Sequence, residues 1–284
     1  MHEIEVRRIE VRRTTITTLV AAALVALAAC GDDVLIDAES AYGRSVFGVD
    51  AANNLVVFGT ENPGRVLRTT AIAGLQGGEQ VVGLDFRPAD GQLYAMTSAS
   101  RLYVLDTLSA RATVVTTLPL PALSGASFGF DFNPVADRIR VHSDTRQNLR
   151  LPPSLVGTAV VDTALAYQAG DPGAGAPITV VGSAYTNSAA GATTTTLSVI
   201  DASRDALLRS PSPNGGTLST VGGLNVSTSE AVGFDIGVRD GLALAALTDA
   251  GRSRLYRIDL TTGAATLVGT IGSGVTLRGL AIAP

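Results

Sequence analysis

The sequence contains no tryptophan and no lysine, so arginine supplies all 21 of its basic side chains. Charged residues make up only 16% of the chain, and the formal net charge is -4. Nucleic-acid binding needs a basic surface that neutralises phosphates, which this balance does not provide. The composition therefore excludes a nucleic-acid partner and favours a domain with a large apolar core.

Histidine is also scarce, since His2 and His142 are the only two. A Ser-His-Asp triad needs a histidine beside an activated serine, and the chain also lacks a GxSxG motif, so acyl transfer by such a triad is not expected. The glycine-rich stretch 169–177 lacks the lysine of a phosphate-binding loop and is interpreted as a linker. These absences leave no recognisable catalytic set.

Cysteine occurs once, at Cys30, which excludes a disulfide framework within the chain. The apolar run 19–30 is too short to span a bilayer, and four arginines precede it, as in an export signal. The run ends in Leu-Ala-Ala before Cys30, which resembles a bacterial lipobox. We therefore expect a lipoprotein signal peptide at 1–29, a lipidated Cys30 at the start of a tether 30–44, and export. The protein would be membrane-anchored, in the periplasm, at the outer membrane or on the cell surface.

One four-residue motif recurs along the chain. Gly-Leu-Asp-Phe at Gly83, Gly-Phe-Asp-Phe at Gly129 and Gly-Phe-Asp-Ile at Gly233 share it, and degenerate copies start at Gly182 and Gly279. Each copy continues with short runs of Val, Leu, Ile, Thr and Tyr between Gly, Asp, Ser and Asn turns, as antiparallel strands joined by hairpins do. Four strands in a repeat of about 50 residues are typical of a β-propeller blade. The sequence therefore predicts an all-β fold.

The two ends of the repeat array complement each other. The copy at Gly279 supplies a first strand with no others after it, whereas residues 45–72 read as three strands that lack a first. Pairing the two segments completes a blade and closes the ring, which removes two open sheet edges. This predicts one β-propeller domain over 45–284 with five four-stranded blades. A six-bladed ring with one unrecognised unit and a curled or sandwiched sheet are the alternatives.

Aspartates occupy the third position of the best-kept motifs, at Asp85, Asp131 and Asp235. Side chains alternate along a strand, and the first strand of a blade lines the central channel, so these carboxylates are expected near the axis. They could bind a hard cation such as Ca²⁺, which prefers oxygen ligands. Alternatively, each accepts backbone N–H groups and fixes its blade. Ala184 and Ala281 at the equivalent positions leave the ring of carboxylates incomplete and favour the second interpretation.

The third repeat departs from its siblings. Arg138, Arg140 and His142 alternate along one predicted strand, so they would point the same way. Arginine forks bind carboxylate or phosphate groups, and we expect a small anionic ligand here. The alternatives are a solvated face, or pairing of Arg140 with Asp131 or Asp144. The candidate ligand-binding residues from this repeat and the next are Arg138, Arg140, His142, Asp144, Asn148, Arg150, Tyr185 and Asn187.

Several ordered motifs together resemble a bacterial family. They are GFDFNPVADRIRVHSDTRQNLRL at 129–151, the segment 184–188 followed by TTTTLSVID, and LYRIDLTTGAATLVGTIG near the C-terminus. The family is known as domain of unknown function 4394 (DUF4394), and the resemblance covers roughly residues 45–284. It implies an exported, propeller-like domain and brings no known reaction, cofactor or catalytic residue.

Two functions compete at this stage. The first is a lipid-anchored, monomeric module of the cell envelope that binds a small anionic ligand or envelope proteins. The second is a Ca²⁺-dependent hydrolase or lactonase with Asp85, Asp131 and Asp235 at the channel mouth. The lack of a recognisable catalytic set favours the binding module.

Overall fold

The computed structural model of the protein describes residues 42–115, 121–154, 158–229 and 231–284. These residues form 21 β-strands in five sheets. The predicted signal peptide 1–29, Cys30 and the tether up to residue 41 lie outside the described residues. Within the described ranges, no helix is long and apolar enough to cross a membrane.

The first blade combines strands from the two ends of the domain. Its order from the axis outward is β21 (Leu277–Ile282), β1 (Ser45–Asp50), β2 (Asn54–Gly59) and β3 (Val66–Ala71). The register pairs Phe47 with Ala281, and the Ala283 N–H donates to the Ser45 carbonyl at 2.9 Å. The predicted composite blade is confirmed.

Blades two and three each follow a single repeat and run from the axis outward in chain order. Blade two contains β4 (Val81–Phe86), β5 (Leu93–Thr97), β6 (Leu102–Leu105) and β7 (Ala112–Val114). Blade three contains β8 (Phe128–Asn133), β9 (Arg138–Ser143), β10 (Asn148–Leu151) and the short β11 (Val160–Val161).

Blade four has five strands, one more than predicted. The short β12 (Ala166–Tyr167) pairs in parallel with the outermost strand of this blade, although its sequence position lies inside the third repeat. It covers a sheet edge that would otherwise be open.

The other strands of blade four are β13 (Val180–Tyr185), β14 (Leu197–Asp201), β15 (Ala206–Ser212) and β16 (Thr217–Gly223). Blade five contains β17 (Val232–Ile236), β18 (Ala243–Asp249), β19 (Arg252–Ile258) and β20 (Ala265–Thr270).

Burial decreases from the axis to the rim and follows the sequence pattern. Every residue of β13 and β17 is buried, because the inner strands pack on both faces and therefore carry few polar side chains. The outermost β20 exposes half of its residues and is correspondingly rich in threonine and small residues. The apolar core thus lies between the inner and middle strands of adjacent blades.

The motif glycines allow the inner strands to approach each other closely. A Cβ atom built on Gly83 would lie 2.4 Å from the Phe130 Cβ atom, and one on Gly233 would lie 2.5 Å from the Leu280 Cβ atom. Both distances are below a carbon–carbon contact of about 3.5–4.0 Å, so a side chain would push the blades apart. The five contacts join Gly83 to Phe130, Gly129 to Ser183, Gly182 to Phe234, Gly233 to Leu280 and Gly279 to Leu84. This cycle closes, so the predicted five-bladed β-propeller is confirmed.

Candidate functional site

The three motif aspartates meet at the axis of the ring. Asp85, Asp131 and Asp235 lie on the inner strands β4, β8 and β17, and each is at most 4% exposed. One carboxylate oxygen from each lies within 4.8 Å of the others. We call these three residues the axial carboxylates.

Backbone N–H groups of the inner strands bind the axial carboxylates across blade boundaries. Phe132 N–H donates to Asp85 Oδ2 at 2.9 Å, and Tyr185 N–H donates to Asp131 Oδ1 at 3.1 Å. Ile282 N–H donates to Asp235 Oδ2 at 2.6 Å. Each aspartate therefore fastens its own blade to the next, as the interpretation of a structural role requires.

Ala184 and Ala281 have no carboxylate that could accept an N–H group from the next blade. Around the ring, blade two comes after the blade that contains Ala281, and blade five comes after the blade that contains Ala184. In these two blades the aspartate of the inner strand accepts the N–H group of the next residue in its own strand. Ile236 N–H donates to Asp235 Oδ1 at 2.5 Å, and Asp85 interacts in the same way with Phe86 N–H. Asp131 serves one N–H group only, so its buried Oδ2 atom has no hydrogen-bond partner within the described ranges.

Burial raises the pKa of all three axial carboxylates. Burial and the charge of Asp235 raise the pKa of Asp85 well above its ordinary value, although the Phe132 and Phe86 N–H groups lower it. Burial and the two other carboxylates do the same for the pKa of Asp131. Burial raises the pKa of Asp235 to about 6, against the N–H groups of Ile282 and Ile236. At neutral pH the cluster therefore needs protons or a cation.

The geometry of the axial carboxylates suits a hard cation. Two ligand oxygens of Ca²⁺, each about 2.4 Å from the ion, can lie at most about 4.8 Å apart, and the three carboxylates meet this limit. Each oxygen has two lone pairs, so it can accept an N–H group and still coordinate a metal. The buried Asp131 Oδ2 atom has no hydrogen-bond partner within the described residues, so it is available to coordinate a metal.

A cavity of about 200 Å³ leads to the axial carboxylates from one face of the ring. Asp85 and Asp235 line it, together with Ile236 and Ile282 at the ends of their inner strands. Arg87 lies in the same lining, where its guanidinium is held by Asp137 at 2.5 Å and Asp90 at 2.7 Å. A small molecule could therefore reach a cation on the axis.

The third repeat contributes to a separate cavity, of about 370 Å³, between blades three and four. Four of the predicted ligand-binding residues line it: Arg138, Arg140, Arg150 and Tyr185. We call this space the inter-blade cavity. Arg140 is 2% exposed and therefore belongs to the interior, where it bonds neither Asp131 nor Asp144.

Asp162 is the carboxylate that balances these arginines. Its Oδ2 atom lies 2.8 Å from Arg140 Nη1 and 2.6 Å from Arg150 Nε. Burial raises the pKa of Asp162, but the hydrogen bonds from Arg150 and Arg140 outweigh this and keep the pKa below its ordinary value. No sequence motif indicates this residue, which follows the two-residue strand β11.

The remaining predicted residues do not line the inter-blade cavity. Buried His142 bonds Ser183 Oγ through Nδ1 at 2.8 Å, and burial with the charge of Arg140 lowers its pKa to about 3. Asp144 accepts the Ala126 N–H group at 3.1 Å, and Asn187 adopts a left-handed turn with φ of 55°. Asn148 accepts Arg140 Nη1 and donates to the Pro213 carbonyl, which joins blades three and four.

Solved structures with a similar chain path include two proteins with a named activity. The periplasmic gluconolactonase PpgL of Pseudomonas aeruginosa is 17% identical, with a TM-score of 0.40 over 85% of this chain and 71% of that one. An auxiliary nutrient binding protein of Bacteroides thetaiotaomicron is 13% identical, with a TM-score of 0.41 over 70% and 55%. A Bacteroides thetaiotaomicron protein of unknown function is 12% identical, with a TM-score of 0.49 over 84% and 67%. Sequence identities and TM-scores this low do not transfer the activities of those proteins to this chain.

Sequence comparison gives the family. No curated protein matches the chain. The model of the domain of unknown function DUF4394 matches residues 54–281, which include blades two to five and the axial carboxylates. The chain therefore belongs to the DUF4394 family.

Proposed function

We propose that the protein is a cation-dependent ligand-binding module of the cell envelope. The axial carboxylates hold one divalent cation, with Ca²⁺ the best match, and a small ligand enters the 200 Å³ cavity to complete its coordination. The observation that carries this proposal is the convergence of three buried carboxylates that form no ion pair with a described side chain, although the charge of Arg44 acts on Asp235.

Electrostatics support a bound cation over an empty cluster. Ionising three carboxylates whose oxygens lie within 4.8 Å of one another is costly in a buried site. A divalent cation removes that cost and uses the otherwise unpartnered Asp131 Oδ2 atom. The cross-blade N–H bonds hold the ligand oxygens in place beforehand, so little ordering accompanies binding.

Calcium binding to the full chain tests this proposal. After chelator treatment and dialysis, calorimetric titration with CaCl₂ should give one site per chain, and calcium at about 100 times Kd should add about 2.7 kcal/mol to the free energy of unfolding. Asp131→Asn should abolish the heat of binding, because it keeps an oxygen for the Tyr185 N–H group but removes a charge.

The matched control is Asp259→Asn. Asp259 is an exposed turn residue that accepts the Thr261 N–H group at 2.8 Å, so calcium affinity should stay unchanged. If the wild-type chain binds no calcium and chelator leaves its melting temperature unchanged, the proposal fails.

The envelope location rests on the export signal and on Cys30 in the sequence. Lipidation there would tether the propeller as a monomer to the membrane surface, where envelope proteins are available as partners. In a detergent phase-separation assay, Cys30→Ser should move the protein from the detergent phase to the aqueous phase. An unchanged partition would contradict the anchor.

A metal-assisted hydrolase is the second candidate, and the lining of the axial cavity favours it. Asp235 lines the open cavity, where its carboxylate can accept a proton from a water molecule. A cation beside it would lower the pKa of a bound water. Calcium-dependent turnover of a lactone or phosphoester panel, abolished by Asp235→Asn, would establish this function. Calcium binding without turnover supports the binding module.

A further inference from the structure

The inter-blade cavity is a second polar pocket, separate from the axial one. It shares no lining residue with the axial cavity. Strands β9 and β10 of blade three form one side, and β13 with the end of β15 and the following turn forms the other. Its volume of about 370 Å³ falls in the range of small-molecule sites.

The charges around this cavity do not balance. Arg138, Arg140 and Arg150 line it, whereas Asp162 is the carboxylate that pairs with two of them. The lining itself contains these three arginines and no carboxylate, because Asp137, whose charge also acts on Arg138, is held by Arg87 outside the lining. The cavity therefore attracts an anion, even though the whole chain is acidic.

Arg138 is the arginine with unused donors. Its described hydrogen bond runs from Nη1 to the Asp137 carbonyl at 3.1 Å, and no carboxylate in the described ranges forms an ion pair with it. Arg140, by contrast, is buried and committed to Asp162, Asn148 and Asn214. The half-buried Arg138 can thus present its Nε and Nη2 atoms to a ligand.

Tyr185 adds a buried donor to the same space. Its side chain is 1% exposed and lines the cavity, and its hydroxyl oxygen accepts Arg140 Nε at 3.4 Å. The hydroxyl hydrogen has no acceptor within the described parts of the chain. A buried O–H group normally finds a partner, and a ligand oxygen in the cavity would supply one.

Part of the lining of the inter-blade cavity is apolar. Pro211 and Pro213 from blade four and Ile139 from blade three contribute to it. Rigid proline rings favour a carbon body over a bare hydrated ion, because an inorganic ion gains nothing from apolar contact.

We propose that the inter-blade cavity binds a small organic carboxylate, whose carboxylate group bonds Arg138 and the Tyr185 hydroxyl while its carbon body lies on Pro211 and Pro213. The site is independent of the axial cation. Filling it would also add contacts between blades three and four.

Benzoate is a suitable probe, because it combines one carboxylate with an apolar ring. Calorimetric titration of the full chain in chelator should show saturable benzoate binding at one site, with a rise in melting temperature. Benzyl alcohol lacks the charge and inorganic phosphate lacks the apolar body, so both should bind at least about tenfold more weakly. If phosphate binds as tightly as benzoate, or if benzoate does not bind, the proposal is overturned.

Variants locate the site. Arg138→Gln should weaken benzoate binding about tenfold, and Tyr185→Phe, which keeps the ring, should weaken it about threefold to tenfold. Arg254→Gln is the matched control, since this half-buried arginine of blade five lies 3.8 Å from Asp249 and its loss removes the same charge. Equal affinity in the Arg138 and Arg254 variants would show that benzoate binds elsewhere. Because every titration contains chelator, failure of the calcium proposal leaves this result unaffected.

Discussion

The propeller buries charge in two different ways, at the axial carboxylates and at the Arg140 cluster, in which Arg140 bonds Asp162, Asn148 and Asn214. Arg140 can lie in the interior because Asp162 Oδ2 lies 2.8 Å from its Nη1 atom, and Asn148 and Asn214 accept further hydrogen bonds from its guanidinium. The axial carboxylates accept hydrogen bonds from backbone N–H groups and lie close to one another, and within the described residues the charge of Arg44 acts on Asp235 without forming an ion pair. Arg140 thus finds its carboxylate within the chain, whereas the axial carboxylates are left for protons or a cation.

This difference separates a structural charge from a functional one. A buried ion whose partner is built into the fold loses stability when that partner is removed. A buried ion without a partner shifts its pKa and responds to solution conditions, which is the behaviour typical of binding sites. The two clusters should therefore respond in different ways to mutation, metal and pH.

Removing the counter-ion of Arg140 should give the largest effect. Asp162→Asn leaves a buried guanidinium without its carboxylate, so the free energy of unfolding should fall by about 3–5 kcal/mol in urea denaturation. In the control Asp249→Asn, an exposed carboxylate 3.8 Å from Arg254 is lost, and the change should stay within about 0.5 kcal/mol. Similar small losses in both variants would show that the interior does not depend on Asp162.

The stabilisation by calcium should depend on pH with a defined sign. The raised pKa values of the axial carboxylates mean that the metal-free native state binds more protons than the unfolded state above pH 4. Its stability therefore falls as the pH rises through about 6, the folded pKa of Asp235. Calcium keeps the carboxylates ionised and removes this fall, so its benefit should approach about 2.7 kcal/mol at 100 times Kd and pH 8.

Paired denaturation curves in calcium and in chelator from pH 5 to pH 8 measure this effect. The difference between the free energies of unfolding in calcium and in chelator should increase with pH in the wild type and stay near zero in Asp131→Asn. A gap that is constant across the range would mean that calcium binds away from these carboxylates.

His142 should show the opposite dependence on pH. Its folded pKa of about 3 lies below the unfolded value, so its contribution to stability is lost as the pH falls. With an unfolded pKa of about 6.5, the loss between neutral pH and pH 5 is about 2 kcal/mol. His142→Met should remove this loss, because Met96 occupies the corresponding position opposite Gly83 in blade two.

The difference between wild type and His142→Met isolates the histidine, since both chains carry the same axial carboxylates. Denaturation at pH 7 and pH 5 in calcium should show the variant losing about 2 kcal/mol less than the wild type. An equal loss in the two chains would mean that His142 does not control acid stability.

Much of the fold could be predicted from periodic signals in the sequence. The motif at Gly83, Gly129 and Gly233 fixed the blade spacing, and Asp106 and Asp259 shape turns, each accepting nearby backbone N–H groups as short-range turn chemistry requires. These features depend on residues close together in the chain. The parallel strand Ala166–Tyr167 was not predicted, because two residues carry no periodicity and their partner is Thr217–Leu218.

The candidate sites could be predicted only in part. Alternation along a strand placed Asp85, Asp131 and Asp235 near the axis, because one inner strand per blade follows directly from the repeat. The same rule placed Arg138, Arg140 and His142 on one face but did not reveal whether that face was exposed. That depended on Asp162 and Asn214, which come from other segments and have no motif.

The sequence by itself determined that the chain repeats, that it forms strands, and that its two ends complete one blade. These properties arise from residue patterns within about 50 residues and from the complementary ends of the array. The tertiary structure alone decided which buried charges are paired. Charge pairing requires atoms within a few ångströms, and ring closure brings together residues such as Arg140 and Asn214 from different blades. It likewise left Asp131 Oδ2 without a partner at the axis.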